Sequence, residues 1–313
     1  MHRFRYEARC AQRTADSRLK DSRSGINCTE EEFTKIIDIV KPLLAQKIGL
    51  DAIWCEYKND LGISKRTFYR WADLGLGVIN MELPKKVSYR PRKKNPKEQV
   101  PRPCLEGRRY EDFMALPEEV RLSAIEMDCV EGLRSDKKVI LTLFHKRTHF
   151  QFGILLAEHT SGCVAGALDA LETVLGAGFK KLMGVIVTDR GHEFSDIEAM
   201  ERSIKGNKKR CTVYVCDPQR PDQRGQSERA HVDVRKILPK KFTSFDALTQ
   251  FDVATVFSHV NSLPRPSLGG ASPMALAQAL FPKDFFDELG LILIPTKDLC
   301  LKPSLLDRKK DRL

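Results

Sequence analysis

The stretch VIVTDRGHEF (residues 185–194) joins an apolar run to a lone aspartate, Asp189, and Gly191 follows two residues later. The run at its start is typical of a buried β-strand. A carboxylate at the end of such a strand projects from a rigid edge, where the active sites of open sheets gather. Gly191 has no side chain and so lets backbone or substrate approach closely. The stretch therefore predicts a buried strand that presents Asp189 at the edge of a sheet.

Strand-like and helix-like patterns surround this stretch in a regular order. Three strand-like segments precede it, SAIEMDCVEG, KKVILTLFHK and THFQFGILLA, and a helical pattern, SGCVAGALDALETVLGAG, separates them from it. After it we expect a helix near 195–204, a strand in CTVYVCD and a helix near 225–238. The order βββαβαβα predicts an α/β fold: a five-stranded mixed sheet, three strands antiparallel, with crossover helices on both faces.

The N-terminal third has a helical pattern instead. Thr29 precedes Glu32 by the spacing of a capping box, so a helix is predicted to begin just after Thr29. The segment LDAIWCEYKNDLGISKRTFYRWADLG divides into a helix over 51–59, a turn over 61–63 and a second helix capped by Ser64. This is the spacing of a helix-turn-helix, although a plain pair of packed helices fits the pattern as well.

The second helix of this pair carries side chains suited to DNA. Basic, hydroxyl and aromatic groups can contact phosphates and base edges, so this would be the recognition helix. The candidate DNA-contacting residues are Lys65, Arg66, Thr67, Tyr69 and Arg70.

Positive charge is concentrated in the same third of the chain. The chain has 313 residues and a formal net charge of +11, and residues 1–110 hold 24 basic and 14 acidic side chains. The segment 84–115 is basic, contains prolines and lacks apolar periodicity, so it is predicted to be a linker that lies along DNA, with Lys93 and Lys94 as phosphate contacts. The alternative is a basic surface that only keeps the protein soluble.

Other classes of protein are not indicated. No run approaches the ~18 apolar residues of a membrane helix, and the first ten residues lack the apolar core of a signal peptide. We therefore expect a cytoplasmic protein. The nine cysteines occur singly, which predicts reduced thiols. His145 and His149 have no cysteine pair nearby, so no structural zinc is predicted.

Three carboxylates are placed where they can converge. Asp128 lies in the first predicted strand, Asp189 ends the fourth, and Glu228 lies in the first turn of the last helix. Metal-dependent cleavage of phosphodiesters needs such oxygen ligands around two divalent ions. Glu126 and Glu193 compete for the same role, because each lies close in sequence to one of the aspartates.

Four motifs in order carry a resemblance to a known family. IEMDCVEG, VTDRGHEF, YVCDPQRPDQRGQSERAHVDVRKILPKKFTSFDALTQ and HVNSLPRPSLGGASPMALA resemble the DDE transposases of bacterial insertion sequences, specifically the insertion sequence thirty (IS-thirty) family, over roughly residues 6–306. The resemblance implies an RNase H-like integrase core and an N-terminal helix-turn-helix that binds inverted repeats. It also implies DNA cleavage and strand transfer with Mg²⁺, for which Mn²⁺ can substitute.

The family's roles can be carried over residue by residue. The catalytic and metal-binding acids would be Asp128, Asp189 and Glu228, and the family's basic residue seven positions after the glutamate falls on Arg235. Arg235 and the nearby Arg224 would hold the DNA strand. The implied partners are double-stranded DNA, both element ends and target, and further copies of the chain on that DNA. The implied location is the cytoplasm, at the nucleoid, with no membrane.

The sequence departs from the family pattern at three places. Arg190 stands where asparagine is frequent, and Ser272 replaces the threonine of a Gly-Lys-Thr-Pro motif, although Ser272 can still cap a helix that opens with Pro273. Similar proteins carry a further helix-turn-helix before YEARCAQRTADSR, so we expect this chain to lack it. The expected domain order is a helical region over 1–83, a linker over 84–115, a catalytic domain over 116–283 and a C-terminal tail over 284–313.

Two other functions remain open from the sequence. The chain could be a DNA-binding regulator whose RNase H-like domain is catalytically inert, which predicts DNA binding without metal-dependent cutting. A sequence-independent nuclease is a weaker alternative, because it would not need the helix-turn-helix and the basic linker.

Overall fold

The structure is a computed structural model, and it describes residues 7–21, 26, 28–83, 105–218, 220–240 and 242–307. Lys93 and Lys94, the predicted phosphate contacts of the linker, lie outside the described residues.

Five strands form one mixed sheet in the order β3-β2-β1-β4-β5. The strands are β1 Ile125–Glu131, β2 Val139–His145, β3 Phe150–Leu156, β4 Val185–Thr188 and β5 Thr212–Val215. β2 pairs antiparallel with both β1 and β3, whereas β4 runs parallel to β1 and β5 runs parallel to β4. The predicted α/β class and five-stranded mixed sheet are confirmed.

Helices cover both faces of the sheet. Their bounds are α7 Ser161–Leu175, α8 Phe179–Met183, α9 Ile197–Glu201, α10 Gly225–Ile237 and α11 Gln250–Asn261. On one face, α10 bonds to β2 through His231 and Thr142, and α11 packs against Gly153, where an added Cβ would lie 2.2 Å from the ring of Phe257. Glycine is needed at this point because the helix crosses the strand so closely.

The helix predicted near 195–204 is shorter in the structure, where α9 ends at Glu201. The chain turns there because Arg202 is extended and forms a β-bridge with Lys209, while Ile204 donates its N–H to the buried Glu172 carboxylate at 3.0 Å. These contacts between segments distant in sequence stop the helix, and local propensity does not show them.

One segment corrects the expectation about membrane helices. Ser161–Met183, which includes α7 and α8, is long and apolar enough to span a membrane by length and composition alone. In the fold the segment is broken between α7 and α8, and part of it packs in the core, where Leu168, Leu171 and Phe179 are almost fully buried. Its apolar character is explained by this packing.

The N-terminal region contains the two helices and the turn that the sequence predicted. The helices of this region are α1 Ala8–Asp21, α2 Glu30–Ala45, α3 Leu50–Leu61 and α4 Lys65–Asp73. Thr29 forms the predicted capping box, and Ser64 caps α4 as predicted. Gly62 turns the chain between α3 and α4 at φ 63°, a conformation that favours glycine. Trp54 and Phe68 pack the two helices together, with ring centroids 5.3 Å apart.

The N-terminal helices and the sheet share one continuous hydrophobic core. The remaining helices are α5 Tyr110–Met114, α6 Glu118–Leu122, α12 Pro273–Gln278, α13 Lys283–Leu289 and α14 Ser304–Asp307. Leu301 donates its N–H to the carbonyl of Gln46 at 3.0 Å, and Phe285 of α13 packs against Phe152 of β3. Residues 284–307, predicted as a tail, therefore join the N-terminal helices to the sheet. Ser272 caps α12 as expected.

Candidate active site

Asp128 lies in the middle of β1 on the face that α10 covers. Its register partner on β2 is Thr142, and its Oδ1 accepts the N–H of Cys129 at 2.9 Å. Burial raises the pKa of Asp128 to about 6; the charge of Arg224 acts in the opposite direction, and Asp189 raises it further. The site therefore holds a carboxylate whose charged form is disfavoured chiefly by burial.

Asp189 comes directly after β4, the parallel neighbour of β1. Ile125 and Glu126 pair with Ile186 and Val187, so continuation of this register brings Asp128 beside Asp189. Asp189 Oδ1 accepts the N–H of Gly191 at 2.8 Å, and its side chain is 42% exposed. The predicted convergence of the two aspartates is therefore present at the edge of the sheet.

Arg224, at the start of α10, lies between these two aspartates. Its Nη2 is 3.1 Å from Asp189 Oδ2 and 3.6 Å from Asp128 Oδ2, while Nη1 donates to the carbonyl of Met127 at 3.1 Å. The side chain is 10% exposed. Arg224 thus faces the carboxylates from a buried position, whereas the sequence analysis assigned it to DNA. Its contact with DNA stays a prediction.

Glu228 lies one turn into α10 and is exposed. Arg224, four residues before it, and His231, three residues after it, both face Asp128, so this helix delivers the third predicted acid to the same side of the sheet. The ligand oxygens of Asp128, Asp189 and Glu228 do not all lie within 4.8 Å of one another. The oxygens can be further apart when the acids bind two ions, because the two ions themselves lie roughly 3.5–4 Å apart.

His231 is a site residue that the sequence analysis missed. Its Nδ1 lies 3.8 Å from Asp128 Oδ2, and its Nε2 lies 2.9 Å from Thr142 Oγ1. Because the Thr142 hydroxyl donates to the carbonyl of Asp128, it accepts from Nε2, which assigns the ring proton to Nε2. Burial lowers the pKa of His231 to about 4, and Arg224 and Arg235 lower it further. A neutral imidazole therefore presents a bare Nδ1 to the site.

The two competing acids have other partners. Glu126 is buried, pairs with Lys146 at 3.0 Å and accepts the N–H of Ser227 at 3.2 Å, so it fixes the first turn of α10 to β1. Glu193 is buried beneath Gly191, where an added Cβ would lie 2.2 Å from a Glu193 carboxylate oxygen. The group that approaches Gly191 closely is the Glu193 carboxylate.

Arg235 lies further along α10 and bonds to the end of β1. Its Nη1 donates to the carbonyl of Glu131 at 2.8 Å, and burial lowers the pKa of its guanidinium. Arg235 lies seven residues after Glu228 on the same helix, as the sequence predicted. Its partner Glu131 also lines a groove of about 850 Å³, together with Arg134, Lys138, His159 and Lys240 among others. The contact of Arg235 with DNA stays a prediction.

The predicted recognition residues of α4 differ in their surroundings. Lys65 pairs with Asp51 of α3, and Thr67 lies 2.8 Å from the Ser64 hydroxyl. Tyr69 is partly buried against the core. Arg66 and Arg70 are exposed on the helix. These two arginines are therefore the members of the set that a ligand can reach most directly.

Curated proteins match part of the chain, although no protein-family model does. Transposase InsI for insertion sequence element IS30A of Escherichia coli K12 is 29% identical over 153 residues, covering 49% of this chain and 37% of that protein. The transposase for insertion sequence element IS1086 of Cupriavidus metallidurans is 28% identical over 128 residues, covering 41% of this chain and 36% of that protein. The chain thus matches less than two fifths of the length of these relatives.

Among solved structures, the catalytic core domain of BIV integrase matches at a TM-score of 0.36 and 19% identity, covering 50% of this chain and 93% of that domain. The relatives found by sequence are transposases of the IS-thirty type, so the resemblance predicted from the four motifs is confirmed.

Proposed function

We propose that this chain, like its relatives of the IS-thirty type, is a DNA transposase that cuts the ends of a mobile element and joins them to target DNA. The observation that supports this most is the convergence of Asp128 and Asp189, from neighbouring parallel strands, on one cationic group at the sheet edge. The transposase relatives make DNA the expected substrate.

The residues at this edge fit divalent metal ions. Two carboxylates face the positive group of Arg224, and oxygen donors are the ligands that Mg²⁺ and Mn²⁺ prefer. Asp128, Asp189 and Glu228 would hold the ions. When bound, two such ions activate the attacking oxygen and stabilise the charge on the leaving one.

The chain's own groups prepare this site. Arg224 compensates the charge of both aspartates, which keeps the carboxylates directed at one point. His231 contributes a neutral ring beside Asp128, so it adds no positive charge that would oppose a metal ion. Arg235 and Glu126 fasten α10 to β1, which fixes the distance between Glu228 and Asp128. No covalent protein intermediate is needed.

DNA binding is proposed for the helix-turn-helix and the basic segments. Arg66 and Arg70 on α4 would contact the inverted repeats, with Lys65, Thr67 and Tyr69 beside them. The linker residues Lys93 and Lys94, together with Arg224 and Arg235, would hold strands near the acids. The exposed Arg134 in the neighbouring groove is a further candidate.

The remaining parts of the proposal concern organisation. The division into 1–83, 84–115, 116–283 and 284–313, assembly of several copies on DNA and action at the nucleoid in the cytoplasm are all proposed. The alternative of a DNA-binding regulator with an inert domain is not favoured, because the relatives of this chain are transposases and because both aspartates converge in the structure.

The direct test compares binding with cutting. Purified chain is mixed with a plasmid that carries both ends of the source element, in Mg²⁺, in Mn²⁺ or in a chelator. We expect binding in all three conditions, and nicked and joined products only with metal. Binding without any product in either metal would establish the regulator instead.

A further inference from the structure

Cys129, His159 and Glu193 meet at the edge of the sheet although they come from three separate segments. Cys129 lies on β1, His159 precedes α7, and Glu193 follows β4. Their ligand atoms all lie within 4.8 Å of one another. No other group of three histidine, cysteine or acidic side chains among the described residues has its ligand atoms this close together.

The cluster is distinct from the site of Asp128. Successive side chains of a strand point to opposite faces, so Cys129 faces away from α10 and from His231. Its register partner on β2 is Leu141, whereas Asp128 pairs with Thr142. The two groups therefore share a strand but lie on opposite faces of it.

The histidine of this cluster lacks a satisfactory partner. His159 Nε2 lies 2.9 Å from Glu193 Oε1, but the two groups are not aligned as a hydrogen bond. Nε2 is buried and has no hydrogen-bond partner among the described residues. Buried polar atoms of this kind are rare in proteins and call for an explanation. A cation held between the nitrogen and the carboxylate would satisfy both.

We propose that Cys129, His159 and Glu193 form a binding site for a transition-metal ion of the Zn²⁺ class. Thiolate and imidazole ligands select zinc and related ions, whereas Mg²⁺ prefers oxygen ligands alone. In a tetrahedral zinc site the ligand atoms lie roughly 3.3–3.8 Å apart, as follows from Zn–ligand bonds of about 2.0–2.3 Å. The separations in the structure, 2.9 Å between His159 Nε2 and Glu193 Oε1 and no more than 4.8 Å within the cluster, lie on either side of this range.

The fourth position of the ion lies toward His192. His192 Nδ1 is 3.4 Å from Glu193 Oε2, its ring contacts that of His159 at 4.6 Å, and its side chain is 70% exposed. This position is filled by water or by His192 after a rotation. Three protein ligands with an exchangeable fourth one give an open zinc site.

The ion would connect the segments that carry the two aspartates. Cys129 follows Asp128 directly, and Glu193 lies in the turn after Asp189. Binding of the ion would fix the distance between β1 and the turn after β4, and the ion would lie on the side of the sheet opposite α10. The metal site itself requires only these ligands and does not depend on transposase activity.

The test measures zinc and cobalt binding to the full-length chain after reduction and removal of metals. We expect one Zn²⁺ per chain, not displaced by excess Mg²⁺, a rise in Tm on binding, and a thiolate-to-cobalt charge-transfer band with Co²⁺. Cys129→Ser should abolish that band and weaken zinc binding by more than the roughly 10-fold typical for loss of an outer-shell partner.

Three further variants make the outcome decisive. His159→Gln should also weaken zinc binding, and it provides a second test if Cys129→Ser does not fold. Cys10→Ser, which removes an exposed thiol, should bind as the unmodified chain does. Asp128→Asn should keep the zinc and the cobalt band, which separates this site from the proposed Mg²⁺ site. A missing cobalt band, or a band that Cys129→Ser leaves unchanged, would overturn the proposal.

Discussion

Arg224 donates from Nη2 to Asp189 Oδ2 at 3.1 Å, and the same nitrogen lies 3.6 Å from Asp128 Oδ2. One guanidinium therefore provides the positive charge at the point where two buried strands deliver carboxylates. The metal ions proposed for this point would neutralise the same two carboxylates, so the contribution of Arg224 to stability should depend on whether the ions are bound.

Removal of the Arg224 charge should make stability depend more on metal. Arg224→Gln should lower Tm in chelator, by less than the about 3–5 kcal/mol that loss of one partner of a fully buried ion pair costs, because Asp189 is 42% exposed. Added Mg²⁺ should then raise Tm more than it does in the unmodified chain, because the ion replaces the missing charge. Arg220→Gln, at an exposed surface pair, is the control. Equal Mg²⁺ responses in the two variants would show that Arg224 does not face the ion.

Because its pKa is raised on folding, Asp128 should destabilise the folded protein when it is charged. An acid whose pKa moves from 3.8 to about 6 on folding destabilises the fold progressively as pH rises from about 4 to 6. The full effect is about 3 kcal/mol. In metal-free protein at pH 7, Asp128→Asn should therefore unfold at a higher temperature than the unmodified chain.

The Tm difference between Asp128→Asn and the unmodified chain should disappear below pH 4, where Asp128 is protonated in both the folded and the unfolded protein. Comparison of the pair cancels the opposite trend of His145, whose pKa of about 4 makes the fold lose stability as pH falls. A Tm difference that does not vary with pH would contradict the assigned burial of Asp128.

The close packing beneath Gly191 gives a double-mutant test. Gly191→Ala places a Cβ against the Glu193 carboxylate, and overpacking of this kind costs typically 1–3 kcal/mol. Glu193→Ala removes the obstacle, so the double variant should show much less than the sum of the two losses. Gly225→Ala, which meets no atom within 4 Å, is the control. Additive losses in thermal unfolding would show that Gly191 is needed for another reason.

Exposed arginines of α4 should carry sequence-dependent binding to element ends. Removal of one phosphate interaction reduces the slope of log K against log salt by roughly 0.9, and removal of one interaction with a base costs about 1–3 kcal/mol. Arg66→Ala and Arg70→Ala should therefore weaken binding, as measured by fluorescence anisotropy over a salt series. The exposed Lys297→Ala is the control. If both arginine variants bind like the control, DNA is read by another surface.

The sequence predicted the elements because their signals are local. Alternating and helical apolar patterns, the capping residue Thr29 and the cap Ser64 act within a few residues, and the structure contains each of them. The helix near 195–204 was predicted too long because Glu172, distant in sequence, binds the backbone just after the end of α9.

The site was predictable only in part for the same reason. Asp128 lies within a predicted strand and Asp189 at the end of another, and the alternating pattern and the order of the strands reveal both positions. Arg224 was assigned to DNA because only the three-dimensional approach of α10 to β1 shows that its charge faces inward. For His231, its position three residues after Glu228, on nearly the same helix face, was a usable signal.

The cluster of Cys129, His159 and Glu193 has no signal of this kind. Zinc motifs are recognised by short ligand spacings, whereas these ligands come from three elements that only the sheet brings together. Their spacing in the chain therefore suggested no metal site.

Asp128, Asp189 and Glu228 are proposed to act together in metal-dependent DNA cutting, and this is the central claim. It is tested most directly with a labelled element end in Mg²⁺, on which cleavage and binding are measured for Asp128→Asn, Asp189→Asn and Glu228→Gln. The exposed Glu198→Gln serves as the control. We predict that each of the three site variants binds the end with nearly unchanged affinity and does not cleave it, while the control cleaves normally. Full cleavage by any of the three would contradict the assignment of that residue, and full cleavage by all three would contradict the central claim.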